Sequence, residues 1–216
     1  METETTSLLV ILATTLAVFF FLMKSAKEKI VTTVLTKDRR SVEKYSGPAP
    51  RDALMKALNC AVHAPNHWKT ESWRFRMLGP AGKTKLADLQ EKFQPGGPFG
   101  APDYLVVSIK AGEHAKSPKD FSEWTTQALE DHAACSCAIQ NFMISCASQG
   151  IATKWMTGKM GVSGADMLTE CCNVSDVTTE HYMGTILVGQ SQVPMNTMKV
   201  PERKSGTTEP IFQETA

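Results

Sequence analysis

The stretch His63-Ala64-Pro65-Asn66-His67-Trp68-Lys69-Thr70-Glu71-Ser72-Trp73-Arg74-Phe75 changes character twice. It follows Pro50 to Val62, where Leu54, Ala57, Leu58 and Ala61 recur at i, i+3, i+4 and i+7, the spacing of one apolar helix face. Pro50 suits the start of that helix. Ala64-Pro65 ends it, because a residue before proline avoids the helical region. A polar loop follows, and Ser72 to Leu78 then reads as a strand closed by Gly79-Pro80. Upstream, Arg39-Arg40-Ser41 offers two fixed cations and a hydroxyl. That is a good seat for a phosphate, since each guanidinium is a planar fork of charge-assisted donors. Together the two runs suggest a phosphate-bearing planar cofactor held against a sheet.

Further along, a helix is expected from about Lys83 to Phe93, stopping before Pro95-Gly96-Gly97-Pro98. Tyr104 to Lys110 is the clearest strand. The longest helix is expected from about Ser122 to Gln149, with Gly150 as its stop. Its middle, Ala133 to Ala138, is made of small residues, and Ile139, Phe142, Met143 and Cys146 share one face. Thr153 to Met156 reads as extended, Gly164 to Cys172 as a short helix, and Met183 to Val188 as a strand. The tail from Gln190 has no periodic pattern. Helices and strands are mixed without strict alternation, which argues for an α+β fold: a small mixed sheet covered by helices, with a long central helix.

The chain has 216 residues, 42% hydrophobic and 21% charged, enough for one domain with a real core. Its net charge of +1 and the lack of an aromatic-interleaved basic stripe argue against a nucleic-acid partner. The six cysteines form no Cys-x-x-Cys pair and no zinc spacing, so no metal site is expected and a reducing compartment is. Leu8 to Met23 carries no charge. At about 1.5 Å per residue it reaches roughly 24 Å, close to a bilayer core of about 30 Å. Glu2 and Glu4 precede it, while Lys24, Lys27, Lys29 and Lys37 follow. A cleavable leader would want the positive charges first, so the expectation is an uncleaved single-pass anchor with the remainder facing the cytoplasm. The organisation expected is residues 1–25 as membrane anchor, 26–36 as juxtamembrane helix and 37–216 as the folded domain.

In sequence order, five segments resemble the nitroreductase family of flavoproteins. They are Arg39-Arg40-Ser41-Val42; His63 to His67 with Trp73-Arg74-Phe75; Ala101-Pro102 leading into Leu105-Val106-Val107; Glu130 to Asn141 with Gly150 to Trp155; and Leu187-Val188-Gly189 with Val200-Pro201. The pattern is similar to the compact bacterial branch. The resemblance implies an α+β homodimer with FMN at the subunit interface. It also implies hydride delivery from NADH or NADPH, then reduction of a small-molecule acceptor. Carried over by position, Arg39, Arg40 and Ser41 would hold the phosphate and ribityl chain. His63 and His67 would serve the cofactor from the loop, and Trp155, Met156, Thr157 and Gly158 from the turn after the long helix. Arg203 or Lys204 would be a late phosphate-side cation. Lys154 and Thr157 are candidates for the flavin's pyrimidine edge, where a donor stabilises an anionic reduced ring. The cofactor carries the hard chemistry, so no catalytic nucleophile or general-base triad is expected, and none is found.

Several positions depart from the family pattern. Glu43 stands where many members carry Arg, His63 where the compact branch has Arg, and Ser72 where a Pro precedes the Trp. The stretch from Phe93 to Ala101 is short where relatives carry a lid over the substrate. The leading expectation is an FMN-dependent NAD(P)H oxidoreductase acting on nitroaromatics, quinones or similar electron-poor rings. The alternatives are a reductive dehalogenase of halotyrosine type and a non-catalytic, membrane-tethered flavin-binding protein. Taken singly, Arg39-Arg40 would extend a basic patch for anionic lipid, and Glu130-Asp131 reads as a solvated helix face.

Overall fold

The computed structural model describes residues 14–19, 36, 39–93, 101–110, 124–158 and 161–199. The chain divides into two compact units, residues 1–39 and 40–216. In the first, residues 14–19 are helical, with Leu16, Val18 and Phe19 exposed. Among the described residues no helix is long and apolar enough to cross a membrane. Most of the expected anchor, the juxtamembrane helix apart from Thr36, the Gln94 to Gly100 stretch and Arg203 lie outside the described residues.

The second unit is built on a five-stranded sheet. Its strands are β1 (Tyr45–Gly47), β2 (Trp73–Met77), β3 (Asp103–Lys110), β4 (Ile151–Met156) and β5 (Glu180–Ser191). β5 is the hub: β4 lies on one edge, and β3 and then β1 share the other, with β2 outside β3. Among the described residues every strand pair is antiparallel, which corrects the expected mixed sheet. β1, β3 and β4 run against β5, and β2, outside β3, runs along it.

Both faces of the sheet are covered, so its inner strands are apolar on both sides. Leu105, Val107 and Ile109 of β3, with Ile186 and Val188 of β5, face α1 (Arg51–Ala61) and α3 (Thr126–Ser148). Ala53, Leu54, Ala57 and Ala61 of α1 meet Ile139, Phe142, Met143 and Cys146 of α3 in that layer. These are the helix faces the periodicity predicts. Each fully buried side chain of this kind contributes roughly 1.5–3 kcal/mol relative to exposure. Tyr104, Val106 and Leu187 point the other way, onto Leu86 of α2 (Pro80–Phe93) and onto Met167, Leu168 and Cys171.

Boundaries shift where local chemistry overrides pattern. α2 begins at Pro80, three residues early, because proline is tolerated where a helix lacks N–H partners anyway. α3 begins at Thr126, after Trp124; Thr125 Oγ1 accepts from Ala128 N–H at 3.1 Å and caps it, an interaction worth about 1 kcal/mol. The expected helix from Gly164 is one α turn, α4 (Gly164–Asp166), widening into a π segment, Met167–Cys171. β5 runs twelve residues rather than six, because both its edges are paired almost along its length.

Candidate functional site

The free edge of β4 is lined by the chain that enters the fold. Ser41 forms a parallel bridge with Thr153, and Val42 N–H donates to the Thr153 carbonyl at 3.1 Å. Just beyond the bridge the side chains of Glu43 and Lys154 form an ion pair. The ammonium holds the Glu43 carboxyl below its ordinary range, through a hydrogen bond and its charge. Arg40 precedes this edge and is only 8% exposed. Its Nε–H donates to the Lys199 carbonyl at 3.3 Å, so the C-terminal tail returns to the same place. Ser41, Thr157 and Gly158 are exposed. A guanidinium, a hydroxyl and an ammonium thus stand along the edge of a strand that runs on to exposed Thr157 and Gly158, a donor set suited to an anion.

Trp155 and Met156 of β4 are half-buried. The Trp155 indole Nε1–H donates to the Met183 carbonyl at 3.1 Å. Gly184 makes room for it. Its φ of +136° lies where glycine is favoured, and a Cβ there would collide with Trp155 Nε1 and stand 2.7 Å from the Met156 carbonyl. The β3–β5 ladder slips by one residue at this point, between Val107 and Ser108, as a bulge does.

The loop after α1 forms a separate cluster. His67 Nδ1 and Glu130 Oε2 lie 2.6 Å apart, with the imidazole side chain 55% exposed. Thr70 Oγ1 donates to Asp131 Oδ1 at 2.6 Å. Asn66 Nδ2 donates to Thr70 Oγ1, and Asn66 Oδ1 accepts from Glu71 N–H. Trp68, Lys69 and Glu71 all have left-handed φ. Asp131 corrects the solvated-face reading: it is 2% exposed, and its Oδ2 has no hydrogen-bond partner among the described residues. His63 is exposed on the turn that closes α1, its N–H donating to the Cys60 carbonyl at 3.3 Å.

Ser41 stands beside Thr153, which pairs with Val188, whereas Met156 pairs with Thr185 and the Trp155 indole reaches Met183, so Trp155 to Gly158 lead along β5 away from Ser41 and toward the end that the His67 loop occupies. The loop's exit is fixed by Lys110 N–H donating to the Ser72 carbonyl at 2.7 Å. At that end Ile109 pairs with His181, whereas Thr153 pairs with Val188. Seven residues of β5 at about 3.3 Å each separate the two pairings by roughly 20 Å. Arg39 is half-buried and closes the first unit. Sequence reasoning missed the Glu43–Lys154 pair, the Lys199 carbonyl and the Glu130–Asp131 anchors. All lie far apart in the chain, and no local spacing announces them.

A sequence model described as the Nitroreductase family matches residues 36–190. The chain belongs to this family. YfhC of Bacillus subtilis, a protein named as an NAD(P)H nitroreductase, is 29% identical over 143 residues, covering 58% of this chain and 69% of its own length. YdjA of Escherichia coli K12, similarly named, is 23% identical over 180 residues, covering 76% of this chain and 91% of its own. Among solved structures, an NADPH:FMN oxidoreductase from Vibrio harveyi complexed with NAD+ superposes with a TM-score of 0.65 at 16% identity, covering 86% of this chain and 80% of that one. A nitroreductase-like family protein from Bacillus cereus gives 0.59 at 22% identity, covering 82% and 90%. The α+β nitroreductase-like fold is thereby established for this member.

Proposed function

We propose that this nitroreductase-family protein is an FMN-dependent NAD(P)H oxidoreductase that reduces nitroaromatics, quinones or related electron-poor rings. The observation that carries the reading is β4, whose edge is lined by Arg40, Ser41 and the Lys154–Glu43 pair and which runs on to exposed Thr157 and Gly158. FMN, when bound, accepts hydride from NADH or NADPH and passes reducing equivalents to the acceptor. Arg40 and Ser41 hold the phosphate end, with Arg39 and Arg203 as further candidates from sequence resemblance. Trp155 to Gly158 line the ring. Lys154 faces the ring's electron-rich edge, its charge moderated by Glu43. His67, with His63, is supplied by a second copy of the chain, as the family resemblance implies, and the working unit is a homodimer. Residues 1–25 tether the domain to a membrane, supported by the uncharged run Leu8 to Met23 and its basic flank.

The test uses the full-length chain recovered from carbonate-washed membranes and solubilised without added flavin. The expected result is a yellow protein that NADPH bleaches, with Arg40→Ala and Ser41→Ala losing most flavin while keeping the wild-type circular dichroism. Recovery in the carbonate supernatant refutes the tether. A colourless wild type that also refuses added FMN refutes the function, and full flavin in both variants refutes the phosphate assignment.

A further inference from the structure

Trp68 is 81% exposed, the most exposed large apolar side chain among the described residues. An indole in water forgoes the burial that makes it valuable, and it sits here on a backbone that resists being there. Trp68 has φ 56°, Lys69 φ 51° and Glu71 φ 42°. Left-handed backbone at non-glycine residues costs on the order of 1–3 kcal/mol each, and persists only where the surroundings impose it. The surroundings are explicit. The Asn66 side chain ties Thr70 to Glu71 N–H, Thr70 is anchored on buried Asp131, and His67 on Glu130. Together these contacts hold the indole outward beside the His67 ring, their centroids 5.0 Å apart and tilted by 36°.

We propose that Trp68 is the aromatic wall of the electron-acceptor site, delivered with His67 to the β4 edge of a second copy of the chain, where it stacks on planar aromatic acceptors. This rests on the flavoenzyme reading above and assigns a residue to its choice of substrate. The π face favours flat rings over compact ions, because offset stacking needs matched planar area. A rigid loop suits the task better than a slack one, since the ordering cost is met in folding and not at binding.

The experiment takes the full-length FMN-loaded protein, with menadione as the planar acceptor and ferricyanide as the compact one. In Trp68→Ala the KM for menadione is expected to rise about tenfold relative to that for ferricyanide, in line with loss of one stacking contact. Trp68→Phe restores it to within about threefold, and flavin content and dimer mass match wild type in both. Menadione should also quench a component of the tryptophan emission that Trp68→Phe lacks. If the wild type holds flavin and is bleached by NADPH, yet Trp68→Ala leaves the KM ratio unchanged, the inference falls and the flavoenzyme reading stands. A Trp68→Ala variant that becomes monomeric also overturns it, making the indole an anchor between copies. A wild type without flavin removes both.

Discussion

At the scale of single residues, Gly184 is the most constrained position in the candidate site. It has a backbone angle that other residues resist and no room for a side chain beneath Trp155. Gly184→Ala is therefore expected to destabilise the protein by about 3 kcal/mol or more, combining left-handed strain with a clash against backbone. Urea denaturation measures it, and an unchanged midpoint would contradict the packing described. Glu43 shows the opposite situation. As a letter in the sequence it is an anion where a phosphate site wants a cation; in the structure it partners Lys154. Pair formation across 111 residues has no local signature.

At the scale of elements, the long helix α3 does more than fill the core. His132 packs against His181 of β5 with ring centroids 4.8 Å apart, and Trp124 meets it edge-on at 4.5 Å. Burial, then the neighbouring His181, pushes His132 down to about 4, with Asp131 opposing; burial lowers His181 as well. Between pH 6.5 and about 4 the unfolded chain therefore binds protons that the native state refuses, and stability falls with pH through that window. Thermal melts from pH 7 to pH 4 should show this decline, and His132→Gln should flatten it. An equally steep decline in the variant would remove His132 as its source. The elements themselves were largely legible. The apolar periodicity of α1, the Tyr104 to Lys110 run and the Gly150 stop each appear within a residue or two of expectation. β1 and the ends of β5 were not, because short edge pairing depends on a partner rather than on local pattern. The candidate residues were named from motif order, and the spacing between them in the fold was not legible. Arg40 and His67 are 27 positions apart in the chain, and nothing in that separation says they occupy opposite ends of a sheet.

For the whole molecule, a site shared between two chains makes a demand on assembly. If His67 serves the β4 edge of a second chain, then Arg40→Ala and His67→Ala damage complementary halves. Co-expression should produce mixed dimers with one intact site in two, holding about half the flavin of the wild type, while each variant alone holds little. Absorbance of tagged, purified heterodimers reads this directly. Flavin no higher than in the single variants would place both halves on the same subunit.

The Arg40–Lys199 hydrogen bond joins the first residue of the second unit to the last described one. A described stretch whose two ends meet is topologically almost a ring. A short peptide bridging those two positions would close it, leaving the covalent order of the strands free to be opened at another surface turn.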